Sequence, residues 1–462
     1  MQHRRDGHAH TRAPASAVPA LTSISEAHEK MAAADARTAP PHALLLPYPA
    51  QGHVIPFMEL ADRLLDRGFA VTFVNTEFNH RRVVVAAGGR APGAAAAAAG
   101  DSRLRLVGVA DGMGDGEDRD NLVRLNACMQ EAMPPRLDAL LDADDERLGR
   151  VTCVVVDAGM SLPTAALWPA SAAVLAVLLG AKKLIGDGVI DDDVKLENNA
   201  FRLAESMPAM DAVFLAWNYM GNRDAERMVF HYLTTTAWAA VAKADVVLCN
   251  TFADLEQTSS GPTPRRPPPS SRSARCAPGS AGRARRRPGT SGAPTTRPAC
   301  PSWTRSPMAP CLTVMSPAQL QELALALLAS ARPFLWLPAA FTDLLPRHGR
   351  GKVVEWAPQE KVLAHPAGVR HGVPLLCWPY FTDQFTNQAY ICDMWRVGLR
   401  IAPNGSDGIV TKERIMERLE SLMCDSGVKE RMKRLKDLAE RSMGTEGQSL
   451  KNLNTFMESM RK

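Results

Sequence analysis

The sequence predicts an α/β protein built in two halves with a cleft between them, and three observations carry that prediction. Short apolar runs alternate with amphipathic stretches at helical spacing in both the first and the last part of the chain. A stretch of different composition, 258–311, separates the two parts. The length of 462 residues exceeds one ordinary core and suits two domains.

The elements follow in order. Met1 to Lys30 mix Arg, His, Asp and Glu without an apolar segment, so residues 1–41 are expected to form a disordered leader rather than a secretory signal. His42 to Leu46 read as a strand ending in the loop PYPAQGH, Ile55 to Arg67 as a helix stopped by Gly68, and Ala70 to Asn75 as a second strand, which completes a βαβ unit. Leu104 to Val109, Thr152 to Val156 and Val246 to Asn250 supply further strands of a doubly wound parallel sheet. In such sheets ligands bind beyond the carboxyl ends of the strands, where His53 and Asp157 both fall. The uncharged run Leu162 to Ala181 is long enough to span a bilayer. Pro163, Pro169 and its alanine content divide it instead into a buried strand, Thr164 to Trp168, and a core helix from Ser171, so no membrane span is expected.

Residues 258–311 hold ten Arg and no Asp, Glu or Lys, with Pro, Ser, Thr, Gly and Ala making up most of the rest. Such a stretch builds no core; it reads as a disordered linker or as a frame-shifted segment, and globular sequence resumes at Leu312. Beyond it, Ser316 caps a helix running to Leu328 with Pro317 at its first position. Pro333 to Leu337, Val353 to Trp356 and Val373 to Cys377 read as strands; Lys412 to Met423, Val428 to Arg441 and Leu450 to Met460 read as helices.

The formal charge of +5 comes from the Arg-rich stretch, and the remainder is net acidic. That stretch lacks interleaved aromatics and any binding module, so nucleic acid is not an expected partner. Nine scattered Cys without a CxxC pair or a His/Cys cluster exclude a disulfide framework and a zinc site and fit a reducing, cytoplasmic compartment.

The runs PYPAQGHVIPFMELADRLLDRGFAVTFVN, WAPQEKVLAHPA (Trp356 to Ala367), GVPLLCWPYFTDQFTNQAYICDMWRVGL (Gly372 to Leu399) and EGQSLKNLNTF (Glu446 to Phe456) resemble the plant UDP-dependent glycosyltransferases of family 1, the secondary-product type. The resemblance implies a GT-B fold, two Rossmann-like domains facing across a cleft: an acceptor domain at 42–257, an incomplete UDP-sugar domain at 312–445 and a C-terminal helix at 446–462. It implies inverting transfer of a hexose, most simply glucose, from a UDP-sugar to a hydroxyl of a small hydrophobic acceptor, by a monomer that needs no metal and no cofactor beyond the donor substrate. His53 would be the general base and Asp157 its orienting carboxylate. Trp356 would stack on the uracil, Gln359 would contact the uridine, and Asp383 and Gln384 would bind the sugar hydroxyls.

The chain also departs from the family. Between Ala367 and Gly368 the pattern His-Cys-Gly-Trp-Asn-Ser and a following Glu are absent, and with them a helix start that would bind the diphosphate. The connection after Ser161 is short, which predicts a displaced Asp157. A strand is missing before Leu312, which predicts unpaired neighbours and a weakened second domain. An inactive remnant, or a small-molecule-binding protein that keeps the acceptor half, therefore stands as the alternative to a working transferase.

Overall fold

The computed structural model describes residues 40–86, 102–119, 121–145, 148–158, 165–196, 200–205, 207–218, 223–252, 255–256, 274–276, 315–332, 334–336, 351–353, 372–379, 382–402 and 408–461. The first half is organised by strand β1 (His42–Leu46), helix α1 (Gln51–Asp66), β2 (Ala70–Thr76), α2 (Glu77–Ala86), β3 (Leu104–Val109), α3 (Leu122–Ala132) and α4 (Pro134–Asp142). It continues through β4 (Cys153–Asp157), β5 (Ala165–Trp168), α5 (Ala172–Leu179), α6 (Ala181–Gly186), α7 (Arg223–Lys243) and β6 (Val246–Asn250). A short strand β7 (Ala274–Cys276) adds an edge.

These strands form one seven-stranded sheet in the order β7-β6-β5-β4-β1-β2-β3, parallel throughout. Strand order reverses at β1, between β4 and β2, so the crevice at the carboxyl ends of β1 and β4 is the topological switch point of a Rossmann-like sheet. The central strand is buried on both faces, as a parallel strand under two helical layers must be. Ala43 and Leu45 pack with Phe57, Leu60 and Leu64 of α1, whereas Leu44 and Leu46 pack with Leu125 and Met129 of α3 and Leu137 and Leu141 of α4. Gly68, at φ +85°, makes the left-handed turn that lets the chain leave α1 and enter β2.

Three features differ from the sequence reading. α1 begins at Gln51 rather than Ile55, so His53 stands in its first turn and not in a loop. The Arg-rich stretch, expected to be without structure, contributes β7, which extends the sheet edge by pairing with Leu248, Cys249 and Asn250. Asp157 is not displaced: β4 is held in register on both sides, Leu46 against Val156 and Asp157 against Leu167, and two parallel ladders fix its end. The run considered for a membrane span divides into β5 and α5 as expected, and no helix among the described residues is long and apolar enough to cross a membrane. The leader 1–39 lies outside the described residues.

The second half contains α8 (Pro317–Ala329), β8 (Phe334–Trp336), β9 (Gly351–Val353), β10 (Leu375–Cys377), α9 (Asp383–Ala389), β11 (Gly398–Arg400), α10 (Lys412–Cys424), α11 (Ser426–Met443) and α12 (Gln448–Ser459). Ser316 caps α8 by accepting from the Gln319 amide at 3.3 Å. Buried Gln319 pairs with the backbone of Val410 through two 2.8 Å bonds, replacing strand-like partners deep in this half. Among the described residues the strands pair only as β8 with β9 and β10 with β11, two separate parallel ladders rather than a continuous sheet. α12 then crosses back: Leu453, Phe456, Met457 and Met460 join the core under α1, and the Arg461 guanidinium lies over the Phe69 ring at 4.9 Å.

Candidate active site

The last residue of β4 and the first turn of α1 meet at the switch point. His53 Nδ1 lies 2.8 Å from Asp157 Oδ2, and the same oxygen accepts from the Tyr48 backbone N–H at 3.3 Å. A carboxylate only accepts, so Nδ1 of the neutral imidazole carries the proton and Nε2 keeps the lone pair. The Asp157 side chain is 1 % exposed and that of His53 37 %, so the carboxylate is sealed behind an imidazole that solvent or a small molecule can reach. The Tyr48 ring leans on the imidazole, centroids 5.3 Å apart and planes at 54°.

The electrostatics favour a proton on His53. Burial lowers its pKa, but the Asp157 charge, the Asp157 hydrogen bond and the more distant Asp383 charge outweigh burial, and the net shift is upward. Two tyrosines close the surroundings. Burial and the Asp157 charge push the Tyr48 hydroxyl upward although it hydrogen-bonds Asn126 of α3, and Tyr232 of α7 is raised by burial and by the Tyr48 and Asp157 charges.

Asp383 and Gln384 open α9 in the second half. Asp383 accepts from Asn387 Nδ2 at 2.9 Å and from Thr382 Oγ1 at 3.1 Å, and Asn387 Oδ1 in turn accepts from Ser171 Oγ at 3.0 Å, at the start of α5. Phe385 stacks on Phe214, centroids 5.2 Å apart and planes at 10°. α9 is thereby seated on the first half, with Asp383 within electrostatic reach of His53. Of the residues singled out in the sequence, His53, Asp157 and Asp383 come together, Gln384 follows on the same turn, and Trp356 and Gln359 lie outside the described residues. Tyr48, Asn126, Tyr232, Ser171 and Asn387 were not singled out. Asn387 was within reach of sequence reasoning, because it stands four residues after Asp383 on one helix face. Among the described residues no group of three or more His, Cys, Asp or Glu is placed to hold a metal ion.

A family profile described as UDP-glucoronosyl and UDP-glucosyl transferase matches residues 311–442. The (R)-mandelonitrile beta-glucosyltransferase of Prunus dulcis is 30 % identical over 88 % of this chain and 95 % of its own length. UDP-glycosyltransferase 83A1 of Arabidopsis thaliana is 29 % identical over 90 % of this chain and 96 % of its own. Among solved structures, a UDP-glucosyltransferase from Polygonum tinctorium superimposes with a TM-score of 0.71 over 92 % of this chain and 100 % of that one, at 23 % identity. Phytolacca americana UGT2, solved with UDP-2fluoro-glucose and pterostilbene, follows at 0.67 and 21 % identity, again over 92 % of this chain and 100 % of its own.

Proposed function

This chain belongs to the plant family of UDP-dependent glycosyltransferases, and on that premise we propose that it moves a hexose, most simply glucose, from a UDP-sugar to a hydroxyl of a small hydrophobic acceptor. The observation that carries the proposal is the 2.8 Å His53–Asp157 pair at the sheet's switch point, faced by Asp383 from the other half. His53 Nε2 takes the acceptor's hydroxyl proton as the oxygen attacks the anomeric carbon. Asp157 holds the imidazole in the tautomer this requires and stabilises the imidazolium that forms. UDP leaves from the opposite face of the sugar, so the anomeric configuration inverts. Asp383 and Gln384 hold the sugar hydroxyls at the start of α9, while Trp356 stacks on the uracil and Gln359 contacts the uridine. The chain acts as a monomer in the cytoplasm, without a metal or a further cofactor.

The test uses the purified full chain with UDP-glucose and a panel of small phenols and alcohols, following glucoside by mass. Transfer by the native chain is expected, with a loss of about 10²–10⁴-fold in His53→Ala and unchanged UDP affinity. Equal turnover by the variant would contradict the base assignment. One observation favours a second reading, a protein that binds acceptor-like molecules without transfer: Ala367 runs directly into Gly368, where the family carries its diphosphate segment. Acceptor binding without any UDP binding would select it.

A further inference from the structure

A cavity of about 270 Å³ opens where the first half meets α9. Its first wall is the short antiparallel pair Ala200–Phe201 with Met210–Asp211 and the 3-10 turn Ala212–Phe214 that follows. Asn218 Nδ2 braces this wall by donating to the Ala212 and Val213 carbonyls, each at 2.9 Å. The second wall is a stripe of α9 that includes Phe385 and Ala389. These two follow Asp383 and Asn387 by two residues each, about 200° round the helix axis. The cavity and the His53 site therefore lie on different faces of one helix, and none of His53, Asp157 or Asp383 lines the cavity. Phe201, Met210, Phe214 and Phe385 make its interior apolar and largely aromatic, with the Phe214 and Phe385 rings stacked at 10°. Its rim carries three charged groups, the exposed Asp211 and Asp393 and the half-buried Arg400. Arg400 grips both carboxylate oxygens of Asp393, and its Nε donates to Gln388 Oε1 at 3.3 Å. Asp211 lacks such a partner: its Oδ1 accepts from the Val213 amide at 3.0 Å, and no cation stands against it among the described residues. Two carboxylates and one guanidinium leave the rim with one negative charge in excess.

We propose that this cavity is a second small-molecule site, which takes a flat aromatic amine in its cationic form. The ring enters between the two walls and meets Phe201, Phe214 and Phe385, with the Met210 thioether as a soft filler. The ammonium stays at the rim against Asp211, where a carboxylate ligand meets repulsion and a neutral one gains no ion pair. The volume falls below the ~300–1,000 Å³ of pockets that take drug-sized ligands, and it suits a molecule of one or two fused rings. Because its walls come from both halves, a bound amine adds to the Ser171–Asn387 bond in seating α9 on the first half. No transfer occurs at this site, so it is independent of the proposed reaction.

The experiment titrates the native full chain, without UDP-sugar, by calorimetry at neutral pH with tryptamine and with tryptophol, its neutral alcohol counterpart. One tryptamine per chain is expected, bound about threefold to fivefold more tightly than tryptophol, the margin of an exposed ion pair, and raising the thermal midpoint. Asp211→Asn should erase that margin without disturbing the fold, because the Asn carbonyl oxygen still accepts from the Val213 amide. Ala209→Trp, at an exposed lining position, fills the cavity and should abolish tryptamine binding, whereas His53→Ala should leave it unchanged. Should the tryptophan variant fail to fold, Asp211→Asn decides the matter. The proposal is overturned if tryptamine does not bind, if Asp211→Asn keeps the preference over tryptophol, if folded Ala209→Trp binds as the native chain does, or if His53→Ala abolishes binding.

Discussion

A histidine that must take a proton works best when its conjugate acid is stabilised yet still deprotonates near working pH, and the Asp157 carboxylate behind His53 supplies the first of these. The raised pKa of His53 places the acid limb of a turnover–pH profile above about 6.5, the ordinary histidine value. Asp157→Asn removes the charge, so the limb should move to lower pH while turnover drops; an unmoved limb would show that Asp157 does not govern His53. Stability follows the same sign. A folded-state pKa above the unfolded one contributes stability that is complete below about pH 6.5 and lost as pH rises through the folded value. The difference in thermal midpoint between the native chain and Asp157→Asn should therefore be larger at pH 6 than at pH 9, and a constant difference would contradict this. Their positions beyond the strand ends were legible in local patterns, a strand followed by PYPAQGH and a strand ending in Asp, whereas their roles came only from the family resemblance. Tyr232 was not, because it approaches Tyr48 and Asp157 only when α7 packs onto the sheet.

Among the elements, α12 leaves the second half to pack beneath α1. Phe456, 1 % exposed, is its deepest apolar anchor there. Phe456→Ala should cost about 3–5 kcal/mol in urea unfolding, and a loss below about 1 kcal/mol would mean that the helix docks only loosely. Gly447 makes the turn between α11 and α12, and a Cβ there would lie 2.1 Å from the Ser442 carbonyl oxygen. Gly447→Ala should lower the thermal midpoint through that clash even though its φ of -74° is ordinary. Among the described residues the ladders of the second half are short and separate, with half-buried strands such as β10, whereas β1 is sealed on both faces. Amides of Leu375–Cys377 should exchange with solvent faster than those of Leu44–Leu46, and equal protection would contradict a weakened second half. β1, β2, β4, β5, β6, β8 and β10 were readable from apolar runs, whereas β9 and β11, with the sequences GKV and GLR, were not; of the strand expected at Val353 to Trp356 only Val353, the end of β9, lies among the described residues. What those runs do not encode is which strands pair, so the separate ladders and the added edge at Ala274–Cys276 emerged only from the fold.

At the scale of the whole molecule, the halves are joined by α9 and α12 as well as by the chain between them. Ser171 with Asn387 and Phe214 with Phe385 seat α9 on the first half, which brings Asp383 toward His53. In the proposed function the acceptor base stands in one half and the sugar-binding helix comes from the other. The proposal assigns donor binding to Trp356, Gln359, Asp383 and Gln384, and the direct run of Ala367 into Gly368 makes that binding the step to test. The most direct measurement is a calorimetric titration of UDP-glucose into the full chain. A transferase of this design should release or absorb heat with one saturable site of sub-millimolar Kd, weakened by Asp383→Ala. An absence of heat at millimolar UDP-glucose, from a chain that calorimetry shows to be folded, would contradict it.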